Sequence, residues 1–290
     1  LSLLTACISG VSIFANALFV SKIDPLVFTV VRNGVVALLL TLMIFLFGHV
    51  SRIRSLSRKD WSMLLLIGAI GGGIPFALFF TGLKEIGALN GNLIQKTLFI
   101  WVAFLAVPLL KERIGRFQLV GYLVLFVGMF FMGNTASVTF KTGTWLVLGA
   151  TLLWAVENVI AKVTLRRVHP MIVSWGRIVF GIPFLLIALT ITGKTGLLLN
   201  VHTVAWMPIF VSSGLLTLYV SIWYTALSFA PATLVSSLLV FAPVVTAILS
   251  SGILKKPLLP GQLASLSVIS IGTAFLLADR FFPKKTEQTV

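Results

Sequence analysis

The stretch from Ala88 to Gly121 reads ALNGNLIQKTLFIWVAFLAVPLLKERIGRFQLVG. It begins with small and polar residues, becomes apolar, and stops at a charged knot of Lys111, Glu112, Arg113 and Arg116. An apolar run of roughly 20 residues matches the hydrocarbon core of a bilayer. Gln95 and Lys96 sit inside the run, about two helical turns from its start. Lys96 is therefore expected well inside the membrane, where an ionisable group is costly and marks a functional site by default. The same plan, without the lysine, recurs about half a chain later.

The rest of the chain carries the same signal. It has 290 residues, 58% of them hydrophobic and 10% charged, with a mean hydropathy of +1.10. A soluble domain carries about a quarter charged residues, so the chain reads as an all-α polytopic membrane protein. The net charge of +15 falls in short breaks between apolar runs, which fits a positive-inside membrane protein and not a nucleic-acid-binding arm. Cys7 is the only cysteine, which excludes an intrachain disulfide and a cysteine-based metal site. The first apolar run starts at Leu1 with no basic region before it, unlike a cleavable signal. The chain starts without methionine, so a short N-terminal piece is expected ahead of it.

Ten apolar spans are expected, near 1–21, 26–47, 61–82, 88–109, 117–133, 145–165, 171–192, 205–227, 231–254 and 261–278. Asp24-Pro25 and His169-Pro170 read as turns that lead into helices. With both termini cytoplasmic, twelve Lys and Arg fall inside: Arg52, Arg54, Arg58, Lys59, Lys111, Arg113, Arg116, Arg166, Arg167, Arg280, Lys284 and Lys285. Six fall outside: Lys22, Lys84, Lys141, Lys194, Lys255 and Lys256. The bias supports that orientation in a cytoplasmic (inner) membrane.

A repeat runs through the spans. Arg32 lies seven residues after Pro25 and Arg177 seven after Pro170, at an offset of 145. Thr81-Gly-Leu83 matches Thr225-Ala-Leu227 at an offset of 144, as Gln118 and Gly128 match Gln262 and Gly272. One offset through several elements indicates two copies of a five-helix unit. Five is odd, so the second copy enters the membrane inverted, an architecture that places a transport site between the halves.

The segments VPLLKERIGRFQLVGYLVLFVGMFFM and FFTGLKEIGALNGNL resemble the EamA family of the drug/metabolite transporter superfamily. WYTALSFAPATLVSSLLVFAPVVTAILSSGIL and GQLASLSVISIGTAFLL look like the same pattern in the second copy. The resemblance covers essentially the whole chain. It implies two EamA repeats, at 1–134 and 145–278, a tail at 279–290, a central cavity, and transport of small metabolites, often outward. The family's glutamate at the end of the fourth helix matches Glu112, and its ninth-helix proline matches Pro243. The second copy departs at the glutamate, with Lys255-Lys256 there, and the first departs at the proline, near Phe99.

Few residues inside the spans can carry chemistry. Glu157, beside Asn158 and one turn after Trp154, is the only carboxylate well inside the membrane. It is a candidate proton carrier or ligand for a substrate amine, and Lys96, with Asn92 on its face, a candidate ligand for a substrate anion. A structural Lys96–Glu157 ion pair is the competing reading. Arg32 and Arg177 are candidate entrance or gate residues; the competing reading is arginines that snorkel to lipid head groups. Glu112 is a candidate gate residue, or else one of a solvated cluster with Arg113 and Arg116.

The stripes Thr5, Ser9, Ser12, Asn16 and Thr217, Ser221, Tyr224, Ser228 each follow one helix face. Asn16 and Tyr224 are expected to line the cavity, and the hydroxyls either to line it or to bond between helices. Trp101, Trp154, Trp175 and Trp223 are candidates to wall an apolar pocket, with an interfacial belt the alternative for Trp175. Gly68/Gly72 and Gly87/Gly91 have the spacing of close helix packing. The nearly charge-free fifth and tenth helices are expected outside the cavity.

The expected activity is secondary transport of a small-molecule substrate, amino acids or related compounds first, by alternating access and outward. Anionic metabolites, nucleosides or drugs remain alternatives, as do proton coupling on Glu157 and simple exchange, and a monomer or a homodimer. No cofactor, metal or nucleic acid is expected. An enzyme is disfavoured, because His49, His169 and His202 lie in loops or at helix ends and no HExxH or Walker motif occurs. A channel is disfavoured because the sequence advertises no continuous charged or carbonyl-lined pore.

Overall fold

The computed structural model describes residues 1–19, 23–132, 141–198, 206–255 and 257–281. Lys22, His202, Lys256, Lys284, Lys285 and Glu287 lie outside the described residues. Helices follow one another along the chain as α1 (Ser2–Phe19), α2 (Pro25–Leu46), α3 (Val50–Arg54), α4 (Arg58–Ile67), α5 (Ile74–Lys96), α6 (Leu98–Leu110) and α7 (Arg116–Met132). They continue as α8 (Thr142–Thr164), α9 (Pro170–Ile191), α10 (Trp206–Phe229), α11 (Ala232–Leu238), α12 (Ala242–Leu254) and α13 (Pro260–Phe281). There is no strand among the described residues. Among the described residues eight segments are long and apolar enough to cross a membrane, and Ser2–Asn16 and Arg116–Met129 are shorter apolar helices. The protein is a multi-pass membrane protein, because a bilayer core leaves backbone groups no partner but their own helix.

Local chemistry sets the boundaries, and it repeats along the chain. Asp24 caps α2 by accepting from the Leu26 amide at 2.9 Å. His169 caps α9 the same way, its Nδ1 accepting from the Met171 amide at 3.3 Å. Both helices end on a glycine of positive φ, Gly48 at 69° and Gly193 at 68°. In each case the next amide reaches back five residues along the Schellman pattern, His49 to the Ile44 carbonyl and Lys194 to that of Leu189. α6 and α12 both end on left-handed lysines, Lys111 and Lys255.

Two interruptions escape a reading by hydropathy. The fourth and ninth spans are each broken, at Thr97 between α5 and α6, and at Leu239–Phe241 between α11 and α12. Thr97 turns its hydroxyl onto the Ile94 carbonyl at 2.6 Å. In the ninth span Pro243 has no amide hydrogen, so the turn ahead of it cannot close as an α-helix. Gly87, expected in a packing pair with Gly91, is instead a hinge inside α5, with φ 78° and open space around it.

Small residues bring the helices together. The π-helical turn Gly68–Gly73 lies directly on α9. A Cβ on Gly72 would lie 2.1 Å from the Arg177 carbonyl oxygen, and one on Gly181 2.6 Å from the Gly72 carbonyl carbon. α7 packs along α13 through Gly121, Gly128 and Gly272, with the Ser265 hydroxyl on the Gly128 carbonyl at 2.8 Å. The other side of α7 exposes Leu119, Leu123, Phe126 and Phe131. α1 lies against α12, with Thr246 bonded to the Gly10 carbonyl at 2.9 Å.

Gly181→Ala is expected to lower the melting temperature by an amount matching about 1–3 kcal/mol of overpacking. Gly214→Ala, where a Cβ would meet nothing within 4 Å, is expected to leave it unchanged or raise it slightly. Thermal unfolding of the two variants in detergent makes the comparison.

Candidate functional site

The closeness of the Gly68–Gly73 turn to α9 creates the site. Gly71 has no side chain, and two others occupy its side: a Cβ there would lie 2.5 Å from Glu157 Cγ and 3.3 Å from Arg177 Nε. Glu157 is buried, 1% exposed. Its Oε1 accepts from the Tyr224 hydroxyl at 2.5 Å. Arg177 donates to the Gly71 carbonyl at 3.1 Å and lies over the Tyr224 ring. The Trp154 indole donates to the same Gly71 carbonyl at 3.0 Å. The acid and the guanidinium are thus each held by neutral partners.

Both groups line a cavity of about 170 Å³. Its wall takes Asn33 from α2, Phe76 and Gln95 from α5, Leu98 from α6, Trp154 and Asn158 from α8, Ile178 from α9, and Leu216, Tyr219 and Trp223 from α10. Tyr219 stacks on Trp223, and Phe76 meets Trp154 edge-on. Asn33 Nδ2, Asn158 Oδ1 and Arg177 Nε are buried without a hydrogen-bond partner among the described residues. Such orphaned polar atoms suit a polar ligand, because leaving them unpaired costs free energy.

A second cavity of about 450 Å³ holds Lys96, Asn92, Gln95, Gln262, Thr246 and Ser250 among Ile13, Pro243, Pro257, Leu258 and Leu266. Gln95 borders both cavities. Lys96 and Glu157 make no ion pair; Asp24–Lys194 is the one such pair among the described residues. Lys96 lines this second cavity, while Glu157 lines the first and meets Tyr224 of α10.

Other residues depart from their expected surroundings. Arg177, a candidate entrance or gate residue, has its guanidinium bonded to the Gly71 carbonyl on the wall of the central cavity. Arg32 stays between helices, its guanidinium over the Phe28 ring and its carbonyl accepting from Ser213 at 3.2 Å. Glu112 belongs to no solvated cluster: its carboxylate accepts from the Ala232 and Thr233 amides, at 2.7 and 3.0 Å, and caps α11. Trp101 bonds Thr97 Oγ1 at 3.1 Å and packs in the core. Trp175 bonds Thr41 at 3.0 Å inside an aromatic cluster with Trp61 and Phe180. Asn16 keeps a buried Oδ1 with no hydrogen-bond partner among the described residues. Thr5 and Thr217 return their hydroxyls to their own helices. Sequence reasoning missed Asn33, Phe76 and Tyr219. Tyr219, four residues before Trp223, carried the one usable signal.

With this geometry in view, known proteins can be compared. The model of the EamA-like transporter family matches residues 1–134 and 141–278. The uncharacterized transporter YyaM of Bacillus subtilis (strain 168) is 27% identical over 255 residues, 83% of each chain. An uncharacterized transporter of Synechocystis is 27% identical over 251 residues, 79% of this chain and 73% of that one. The uncharacterized inner membrane transporter YhbE of Escherichia coli (strain K12) is 30% identical over 122 residues, 40% of this chain and 38% of that one. A solved crystal structure at 14% identity superposes with a TM-score of 0.81 over 96% of this chain and 95% of its own, a likeness of fold alone.

Tyr224→Phe removes the donor held by Glu157, and its expected cost is roughly 1–3 kcal/mol of stability. Combined with Glu157→Gln, it is expected to cost less than the two single changes summed, which a double-mutant cycle of melting curves measures.

Proposed function

The chain belongs to the EamA-like transporter family, and from this premise we infer that it is a secondary transporter of small zwitterionic metabolites, amino acids or close relatives, working by alternating access. The carrying observation is the central cavity, where one carboxylate and one guanidinium face the same small space without pairing to each other. A zwitterion offers an amine to Glu157 and a carboxylate to Arg177, and the aromatic wall receives its side chain. The cavity is smaller than the roughly 300–1,000 Å³ of drug-sized pockets, which favours metabolites over bulky drugs. The partner of Glu157 in this role is Arg177 and not Lys96.

Ten crossings in two inverted repeats, at 1–134 and 145–278, are the architecture we propose. Contacts between helix ends support it. Asp24 meets Lys194, Glu85 accepts from the Gly143 amide, Glu112 caps α11, and Lys162 donates to the Leu227 and Ala230 carbonyls. The first three contacts join ends that fall on the same side only if the short helix α7 also crosses; the Lys162 contact fits the same arrangement. The matched caps, glycine ends and broken spans at one offset support the repeat. Discontinuous helices at corresponding places in two halves are a mark of transport sites, and here both border the cavities. The basic ends carrying Arg52, Arg166 and Arg167 are read as cytoplasmic, with both termini on that side, in the inner membrane that the name of YhbE mentions. Outward transport is the proposed direction, and Glu157 is the candidate proton carrier.

The Lys96 cavity favours a second reading. Lys96 is its one charged lining residue among the described residues, so an anionic metabolite suits it better than a zwitterion.

Counterflow in proteoliposomes with a panel of labelled amino acids tests the first reading. Saturable uptake by the parent, reduced at least tenfold in Glu157→Gln, is the expected result. Uptake equal in both removes Glu157 from the site, and uptake of anions alone shifts the reading to Lys96.

A further inference from the structure

The two ends of the α2–α9 seam are built from corresponding residues. His169 lies 145 residues after Asp24, and Lys194 lies 145 after His49. Asp24 and Lys194 meet at one end of the seam. His49 and His169 meet at the other, with ring centroids 4.2 Å apart. One end is therefore closed by opposite charges, and its counterpart by two like groups.

The surroundings enlarge the difference. At the first end burial pushes the Asp24 carboxyl up, but Lys194 and the Leu26 and Val27 amides outweigh it and hold the group below its ordinary value. At the second end burial, His49 and Arg52 all push the His169 imidazole down, as a positive neighbourhood does. A cavity of about 800 Å³ opens beside His169, lined by Arg52, Arg166 and Arg167. Its one carboxylate among the described residues, Asp60, is engaged with Ser57 in a capping box, accepting from the amide at 3.0 Å and the hydroxyl at 2.6 Å, and also feels the charge of Arg167. None of the three arginines makes an ion pair among the described residues. Ser55, Thr225 and Ser228 add hydroxyls to the lining.

We propose that this basic cavity binds a phosphate-type oxyanion, which supplies to the His49–His169 end of the seam the negative charge that Asp24 supplies to the other. Three guanidiniums around one space match the planar, multidentate recognition of phosphate. The ligand has two sources of the same chemistry, a free phosphate compound or an anionic lipid headgroup, since basic pockets between membrane helices accept headgroups. The proposal does not depend on what the central cavity carries.

Melting curves of the full chain test it. One arm adds sodium phosphate in detergent, against sodium chloride at equal ionic strength. The other compares nanodiscs of phosphatidylcholine with nanodiscs that also contain phosphatidylglycerol. A rise with phosphate assigns a free ligand, and a rise with phosphatidylglycerol assigns a headgroup; either supports the site. Arg166→Gln/Arg167→Gln, on exposed side chains, is expected to raise the half-saturating concentration about tenfold. His49→Lys/His169→Asp rebuilds the opposite-charge pair and is expected to melt higher without additive and to gain less from it than the parent. If that variant does not fold, the arginine variant decides. Equal responses to phosphate and chloride and to both nanodiscs, or an arginine variant that responds as the parent does, overturn the proposal.

Discussion

A carboxylate buried among apolar helices is the constraint around which this molecule is arranged. Glu157 is 1% exposed and has one close donor, Tyr224. A buried charge without compensation is costly, so the surrounding fold must supply dipoles and counter-charge. The supply comes from three helices at once. α10 gives the tyrosine, α9 gives Arg177, and the Gly68–Gly73 turn gives the space in which acid and guanidinium both fit. A side chain at Gly71 would displace both, and one at Gly72 would push α9 away. The small residues that allow close packing are therefore the ones that shape the site.

Charged side chains elsewhere satisfy helix ends. Glu112 closes α11, Glu85 accepts from the Gly143 amide at the start of α8, and Lys162 donates to carbonyls at the end of α10. Each crosses from one helix to another, so the ends of the bundle are tied in pairs by single hydrogen-bonded groups. Such ties are few and local. That is the kind of contact a carrier can exchange between two states without repacking its core.

Much of this was legible in the sequence, for physical reasons. Span length and hydropathy report the bilayer, and the 145-residue offset reports local chemistry, which is why Asp24 and His169, or Gly48 and Gly193, turn out to be matched caps and ends. Glu157 stood out because a carboxylate in an apolar run is costly wherever it points. What stayed hidden was tertiary. The depth of Arg177 along its helix suggested an interface, but which neighbour it meets depends on the π-helical turn, and that turn leaves no mark in hydropathy. Lys96 reads as a partner for Glu157 because both are costly charges inside apolar spans, but in space they line different cavities. Glu112 sits in a charged knot in sequence and on the amides of a distant helix in space.

The claim that Glu157 and Arg177 form one zwitterion site is tested most directly by calorimetric binding. The ligands are an amino acid that the parent protein binds, the corresponding amine without its carboxylate, and the corresponding acid without its amine. Binding of the zwitterion, with each one-ended analogue at least tenfold weaker, is the result the account predicts. The acid analogue should then be indifferent to Glu157→Gln, and the amine analogue to Arg177→Gln. Equal binding of the zwitterion and one of the analogues, or zwitterion binding unchanged in both variants, contradicts it.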